Sequence, residues 1–149
     1  MTEQDQLALR LFYAVREVNG LMQSRLSETL EAWDITPQQF SVLEATRGKG
    51  TIHNSDICDL LSLSKGTVSG ILNRLVTRAL LSKNQADGDR RATGYTLTEE
   101  GERLIRTLEA EVLSFSAPLS ADRTRADLLA HLRSMERLAG ALGQNKALR

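Results

Sequence analysis

The chain has 149 residues, 41% of them hydrophobic and 26% charged, which fits one soluble globular domain and excludes wholesale disorder. No stretch approaches the roughly 18 apolar residues that a membrane span needs, so a membrane partner is not expected. Met1-Thr2-Glu3-Gln4-Asp5 lacks a basic-then-apolar leader, and the expected location is cytoplasmic.

A long first helix is expected from about Asp5 to Trp33. Leu7, Leu11, Ala14, Val15, Val18, Leu21, Met22, Leu26, Leu30 and Trp33 recur at spacings of three and four. About 28 residues of helix reach ~42 Å, more than a domain of this size can cover, so part of the stripe is expected to meet another chain. Thr36-Pro37-Gln38-Gln39 then reads as a helix start: a hydroxyl cap, proline at the first position, and glutamine closing a capping box. Phe40 and Leu43 are expected inside, and Gly48 and Gly50 end this second helix. A third helix, capped at Asn54 or Ser55, is expected to bury Ile57, Leu60 and Leu61. Ser62-Leu63 turns the chain, and Ser64 caps a fourth helix reaching about Leu80.

Leu81–Gln85 and Ala92–Leu97 are short strand candidates around the turn-rich stretch 86–91, so a β-hairpin is expected. Thr98 caps a fifth helix with the stripe Leu104, Leu108, Val112 and Phe115, which Pro118 breaks. A sixth helix is expected from about Asp122 to Leu142, on Leu128, Leu132, Met135, Leu138 and Leu142. The fold class is therefore mainly α with a small β-hairpin wing: a winged helix-turn-helix at 35–101, flanked by long dimerisation helices at 5–33 and 99–143, within one domain spanning 1–149.

The fourth helix carries the functional signal. Val68, Ile71, Leu72 and Leu75 form its apolar back, while Gly66, Ser69, Gly70, Asn73 and Thr77 leave its front small and polar. Such a helix can enter a major groove while its back holds to a scaffold. Net charge is formally zero, yet Ser64 to Arg91 holds six basic residues against two acidic ones, +4 locally and −4 for the remainder. Candidate base contacts are Asn73, which matches an adenine edge, together with Ser69 and Thr67. Ser64 and Lys65 occupy the first turn, where the backbone and the dipole favour phosphate. Arg74 and Arg78 flank the front as phosphate contacts. Glycines at 66 and 70 each cost about 1 kcal/mol of helix stability against alanine; Gly70 and Gly66 would allow the backbone close to the groove floor. Arg90 and Arg91, just past the hairpin tip, suit a narrow minor groove, with Asp89 orienting an arginine.

These residues together resemble the multiple-antibiotic-resistance regulator (MarR) family of bacterial transcription factors. The matching elements are the ITPQQFSVL entry, the helix pattern DLLSLSKGTVSGILNRL, and a wing reading DRRATGYTLTEEG. The family's acid-any-arginine element falls on Asp89 and Arg91, and Gly101 follows three residues after Thr98. The resemblance implies a homodimer whose terminal helices interlock and whose winged helices read a pseudo-palindrome in double-stranded DNA. It implies a repressor released by a small aromatic or anionic effector or by cysteine oxidation, with Arg91 as the minor-groove arginine. Two positions depart from the pattern: Gly70 stands where a larger polar side chain is common, and Ala79 where a glycine is common.

No enzyme is expected, because no nucleophile with a positioned base and no paired-carboxylate cleft is present. No cofactor or metal is expected either; His53 and His131 lack companions at ligand spacing. Cys58, the one cysteine, borders the apolar face of the third helix and reads as a packed residue. Phe12, Tyr13, Arg16, Trp33 and His53 are candidates for an effector pocket. The alternative class is a winged-helix protein-interaction scaffold that does not bind DNA.

Overall fold

The computed structural model describes residues 1–85 and 93–144. Its elements are α1 (Glu3–Glu31), α2 (Pro37–Lys49), β1 (Thr51–His53), α3 (Asn54–Leu61), α4 (Lys65–Thr77), β2 (Leu81–Gln85), β3 (Thr93–Leu97), α5 (Glu99–Ser116), a 3-10 turn (Ala117–Leu119) and α6 (Arg125–Gln144). The chain divides into two compact units, Met1–Val112 and Leu113–Arg149.

In the first unit, α1 starts at a capping box: Asp5 N–H donates to Thr2 Oγ1 at 3.1 Å, and Thr2 N–H donates to Asp5 Oδ2 at 2.7 Å. Of its apolar stripe only Leu30 is buried, while Leu7, Leu11, Val15, Val18, Leu21 and Met22 lie exposed. Asp34, with φ +53°, turns the chain into α2. There the expected box forms, Gln39 N–H to Thr36 Oγ1 at 3.2 Å and Thr36 N–H to Gln39 Oε1 at 2.9 Å, with Pro37 at the first turn. Gly50 ends α2 at φ +78°, a left-handed backbone that suits glycine.

The hairpin is one part of a three-stranded antiparallel sheet of order β1-β3-β2. Strand β1 was not expected; Thr51 faces Thr96, Ile52 faces Tyr95 and His53 faces Gly94. Strand β2 pairs with β3 from Leu81 opposite Leu97 to Gln85 opposite Thr93. The cap of α3 is His53 rather than Asn54 or Ser55, and His53 N–H donates to the Asp56 carboxylate at 2.9 Å. Ile57 is buried as expected, but Leu60 is 54% exposed, because an eight-residue helix has one inward line and Leu60 lies off it. α4 stops at Thr77, short of the expected Leu80, since Ala79 takes φ +55° and Leu80 N–H bonds back to Leu75 C=O at 2.9 Å.

Leu30, Phe40, Leu43, Ile52, Ile57, Leu72, Leu75, Leu81, Ile105 and Leu108 form the core of this unit. The first turn of α5 locks onto the end of α4. Thr98 Oγ1 donates to Ala79 C=O at 2.6 Å and accepts from Gly101 N–H at 3.0 Å, and Thr98 N–H donates to Leu80 C=O at 3.2 Å. Gly101 sits so close that a Cβ there would overlap the Leu80 carbonyl oxygen. Arg47 of α2 pairs with Glu102 and Glu109 of α5.

In the second unit, α6 begins at Arg125, three residues later than expected. Asp122 has φ +56°, and Thr124 supplies the cap, accepting from Asp127 N–H at 3.2 Å. No helix among the described residues is long and apolar enough to cross a membrane.

Candidate nucleic-acid interface

Helix α4 is fixed from behind and open in front. Val68, Leu72 and Leu75 are fully buried and Ile71 packs against the core, which sets the rotation of the helix. Lys65, Gly66, Thr67, Gly70, Asn73, Arg74 and Thr77 are exposed, and Ser69 is half-buried. Ser64 caps the helix, accepting from Thr67 N–H at 3.3 Å, and its hydroxyl lies 2.9 Å from that of Thr67. Both hydroxyls thus stand at the positive end of the helix dipole beside Lys65, an arrangement that suits an anionic oxygen.

Among the described residues nothing lies within 4 Å of a Cβ built on Gly70, and a Cβ on Gly66 meets only Ser64 Oγ at 4.0 Å. The fold itself therefore gives no packing reason for glycine at either position.

Two hollows flank this face. One, of about 550 Å³, is lined by His53, Asn54, Ser55, Lys65, Ser69, Thr93 and Tyr95. The other, of about 390 Å³, is lined by Asp34, Thr36, Gln39, Asn73, Arg74, Thr77 and Arg78. Asn73 and Arg74 therefore edge a polar cleft. Arg78, expected as a phosphate contact, also has a role within the fold. Its guanidinium donates to Trp33 C=O at 3.0 Å and to Asp34 C=O, tying the end of α4 to the α1–α2 turn. Asp89, Arg90 and Arg91 lie outside the described residues.

The five pocket candidates are not brought to one place. His53 borders the first hollow, which Phe12, Tyr13, Arg16 and Trp33 do not line. Its Nδ1 lies 3.1 Å from Thr93 C=O. Phe12 and Tyr13 are exposed on α1 and meet edge-to-face, with ring centroids 5.6 Å apart. Sequence reasoning missed Asn54 as anything but a cap. Its Nδ2 donates to Ser69 Oγ at 2.9 Å, and its Oδ1 accepts from the Cys58 thiol at 3.2 Å. The spacing of Asn54 and Cys58, four residues apart on α3, was a signal for the second bond; the first joins two helices and had none.

Residues 33–92 match the sequence model of the MarR family. The matched stretch is the winged-helix unit, and over it this chain is similar to MarR family proteins. The regulator YhbI of Bacillus subtilis, an uncharacterized helix-turn-helix transcriptional regulator, is 29% identical over 95% of this chain and 92% of its own length. A MarR family protein from Bacillus stearothermophilus has the same fold, with a TM-score of 0.79 at 19% identity over 96% of this chain and 99% of that one. So does a cysteine-to-serine mutant of E. coli MarR in complex with operator DNA, with a TM-score of 0.69 at 24% identity, covering 93% and 99% of the two chains. The curated relatives that the chain matches, MdtR, YhbI and MhqR of Bacillus subtilis among them, are named helix-turn-helix transcriptional regulators or repressors.

Proposed function

We propose that this chain is a MarR family protein, a cytoplasmic repressor that reads a pseudo-palindromic operator as a homodimer and is released by a small aromatic or anionic effector. The observation that carries the reading is α4: a helix clamped by three fully buried residues, with a front of small polar side chains open to a groove. Asn73, Ser69 and Thr67 take base edges, and the bare backbone at Gly70 lets the helix seat deeply. Ser64, Lys65 and Arg74 hold phosphates. Arg90 and Arg91 reach the minor groove with Asp89 orienting an arginine, and Arg78, in the cleft beside Asn73 and Arg74, takes a phosphate while tied to the α1–α2 turn.

The apolar stripe of α1 supports the second subunit. Leu7, Leu11, Val18, Leu21 and Met22 are exposed along one long helix, a pattern that soluble chains cover with a partner. The effector would enter beside Phe12, Tyr13, Arg16, Trp33 and His53, a site that this reading completes with the second copy.

Fluorescence anisotropy on labelled operator duplex tests the reading. Affinity should fall steeply with salt, because each neutralised phosphate releases counterions. Arg91→Ala should weaken binding at least tenfold (about 1.4 kcal/mol) with its melting temperature unchanged. A flat salt response in the parent would instead favour a protein-interaction scaffold.

A further inference from the structure

We propose that Asn54 is a positioning residue that biases the hydrogen-bond polarity of Ser69, so that Ser69 meets the groove chiefly as a donor and disfavours cytosine at the base position beneath it. This rests on the assignment of α4 as the reading helix. A serine hydroxyl has one proton and two lone pairs, and by itself can rotate to donate or accept. Here it does not stand alone. Asn54, half-buried at the start of α3, donates from Nδ2 to Ser69 Oγ at 2.9 Å. The orientation of that amide is held in turn, because the Cys58 thiol donates to its Oδ1 at 3.2 Å. The carbonyl end faces Cys58, the amino end faces Ser69, and the hydroxyl proton of Ser69 is left pointing away from α3.

The chemical consequence follows from the major-groove edges. Guanine offers N7 and O6, adenine N7 and thymine O4 as acceptors, whereas cytosine presents only its N4 amino donor. A hydroxyl whose proton points to the groove finds an acceptor on three bases and none on cytosine, which only its one remaining lone pair could meet. Asn54 thus sets a preference without touching DNA, through the side chain that does.

Replacing the amide by a carboxylate reverses the arrangement at nearly constant shape. The Asn54→Asp carboxylate accepts but cannot donate, takes the Ser69 proton, and leaves only lone pairs toward the groove. Selection of preferred sites from random duplexes, run on the full-length parent and four variants, tests this. The parent should disfavour cytosine at one position per half-site, by about fivefold, the worth of one hydrogen bond. Ser69→Ala should abolish that bias, Asn54→Ala should relax it, and Asn54→Asp should invert it toward cytosine at the same position. With Ser69→Ala present, Asn54→Asp should add nothing, since the two act through one hydroxyl. A carboxylate also repels phosphates, but that lowers affinity for all sequences alike and leaves the base bias to be read separately. The proposal is overturned if Asn54→Asp keeps the parental bias, or shifts it equally when Ser69→Ala is present. A parent that shows no duplex binding or no base preference overturns the reading-helix assignment itself, and is told apart because the failure precedes any substitution.

Discussion

Glycines divide into two kinds at the residue scale. Gly101 is required by the fold, because the first turn of α5 passes against the Leu80 carbonyl. Gly101→Ala should cost about 3 kcal/mol, the upper end of overpacking, read as a fall in melting temperature. Gly70 is the opposite case, with open space where its side chain would be. Gly70→Ala should stabilise the isolated protein by about 1 kcal/mol through helix propensity, yet weaken operator binding. Melting and anisotropy on the same variant should therefore move in opposite directions; a tighter-binding variant would remove the close-approach role. The capping residues were legible in the sequence, since Thr36, Pro37, Gln39, Ser64 and Thr98 act within four residues of themselves. Gly101 was legible only as a family spacing, and the Asn54–Ser69 bond not at all, because it depends on how two helices cross.

Element boundaries followed local chemistry and failed where pairing is distant. The α2, β2 and α5 starts fall where caps and turns put them, whereas β1 escaped notice. Three residues carry no readable alternation, and β1 exists because β3, some forty residues on, pairs with it. Arg78 illustrates the same limit, since its carbonyl partners on Trp33 and Asp34 lie 45 and 44 residues away. The helix starts carry a pH signature. Asp5 is held below the usual aspartate value of 3.8 by the Thr2 backbone N–H, Asp56 by that of His53 and then by Lys49, and Asp127 by the Thr124 hydroxyl and then its N–H. A carboxylate depressed in the folded state stabilises fully above its unfolded value, and that contribution fades as pH falls through the folded one. Helicity followed by circular dichroism should hold down to about pH 4 and then decline. In a variant combining Asp5→Asn, Asp56→Asn and Asp127→Asn the acid-dependent part should shrink; an unchanged acid limb would mean that other carboxylates govern it.

At the scale of the whole molecule, the sequence-derived expectation of an uncovered α1 stripe matches the exposure of Leu7, Leu11, Val18, Leu21 and Met22. If a second copy covers them, Leu11→Glu should yield monomers by sedimentation and lower operator affinity more than tenfold, since a lone subunit grips one half-site; a dimeric Leu11→Glu would place the subunit contact elsewhere. The clasp joining Ala79 and Leu80 to Thr98 and Gly101 bears on how such a pair could switch. The opening turn of α5 is fastened through backbone carbonyls to Ala79 and Leu80, the two residues that lead out of α4, which ties the start of α5 to the winged-helix unit. In the proposed dimer each winged-helix head would swing as one piece with the opening turn of its own α5. Release of the proposed dimer from its operator would then be a matter of calipers: the span between two intact heads drifts off the pitch of the duplex, while each head keeps its grip geometry.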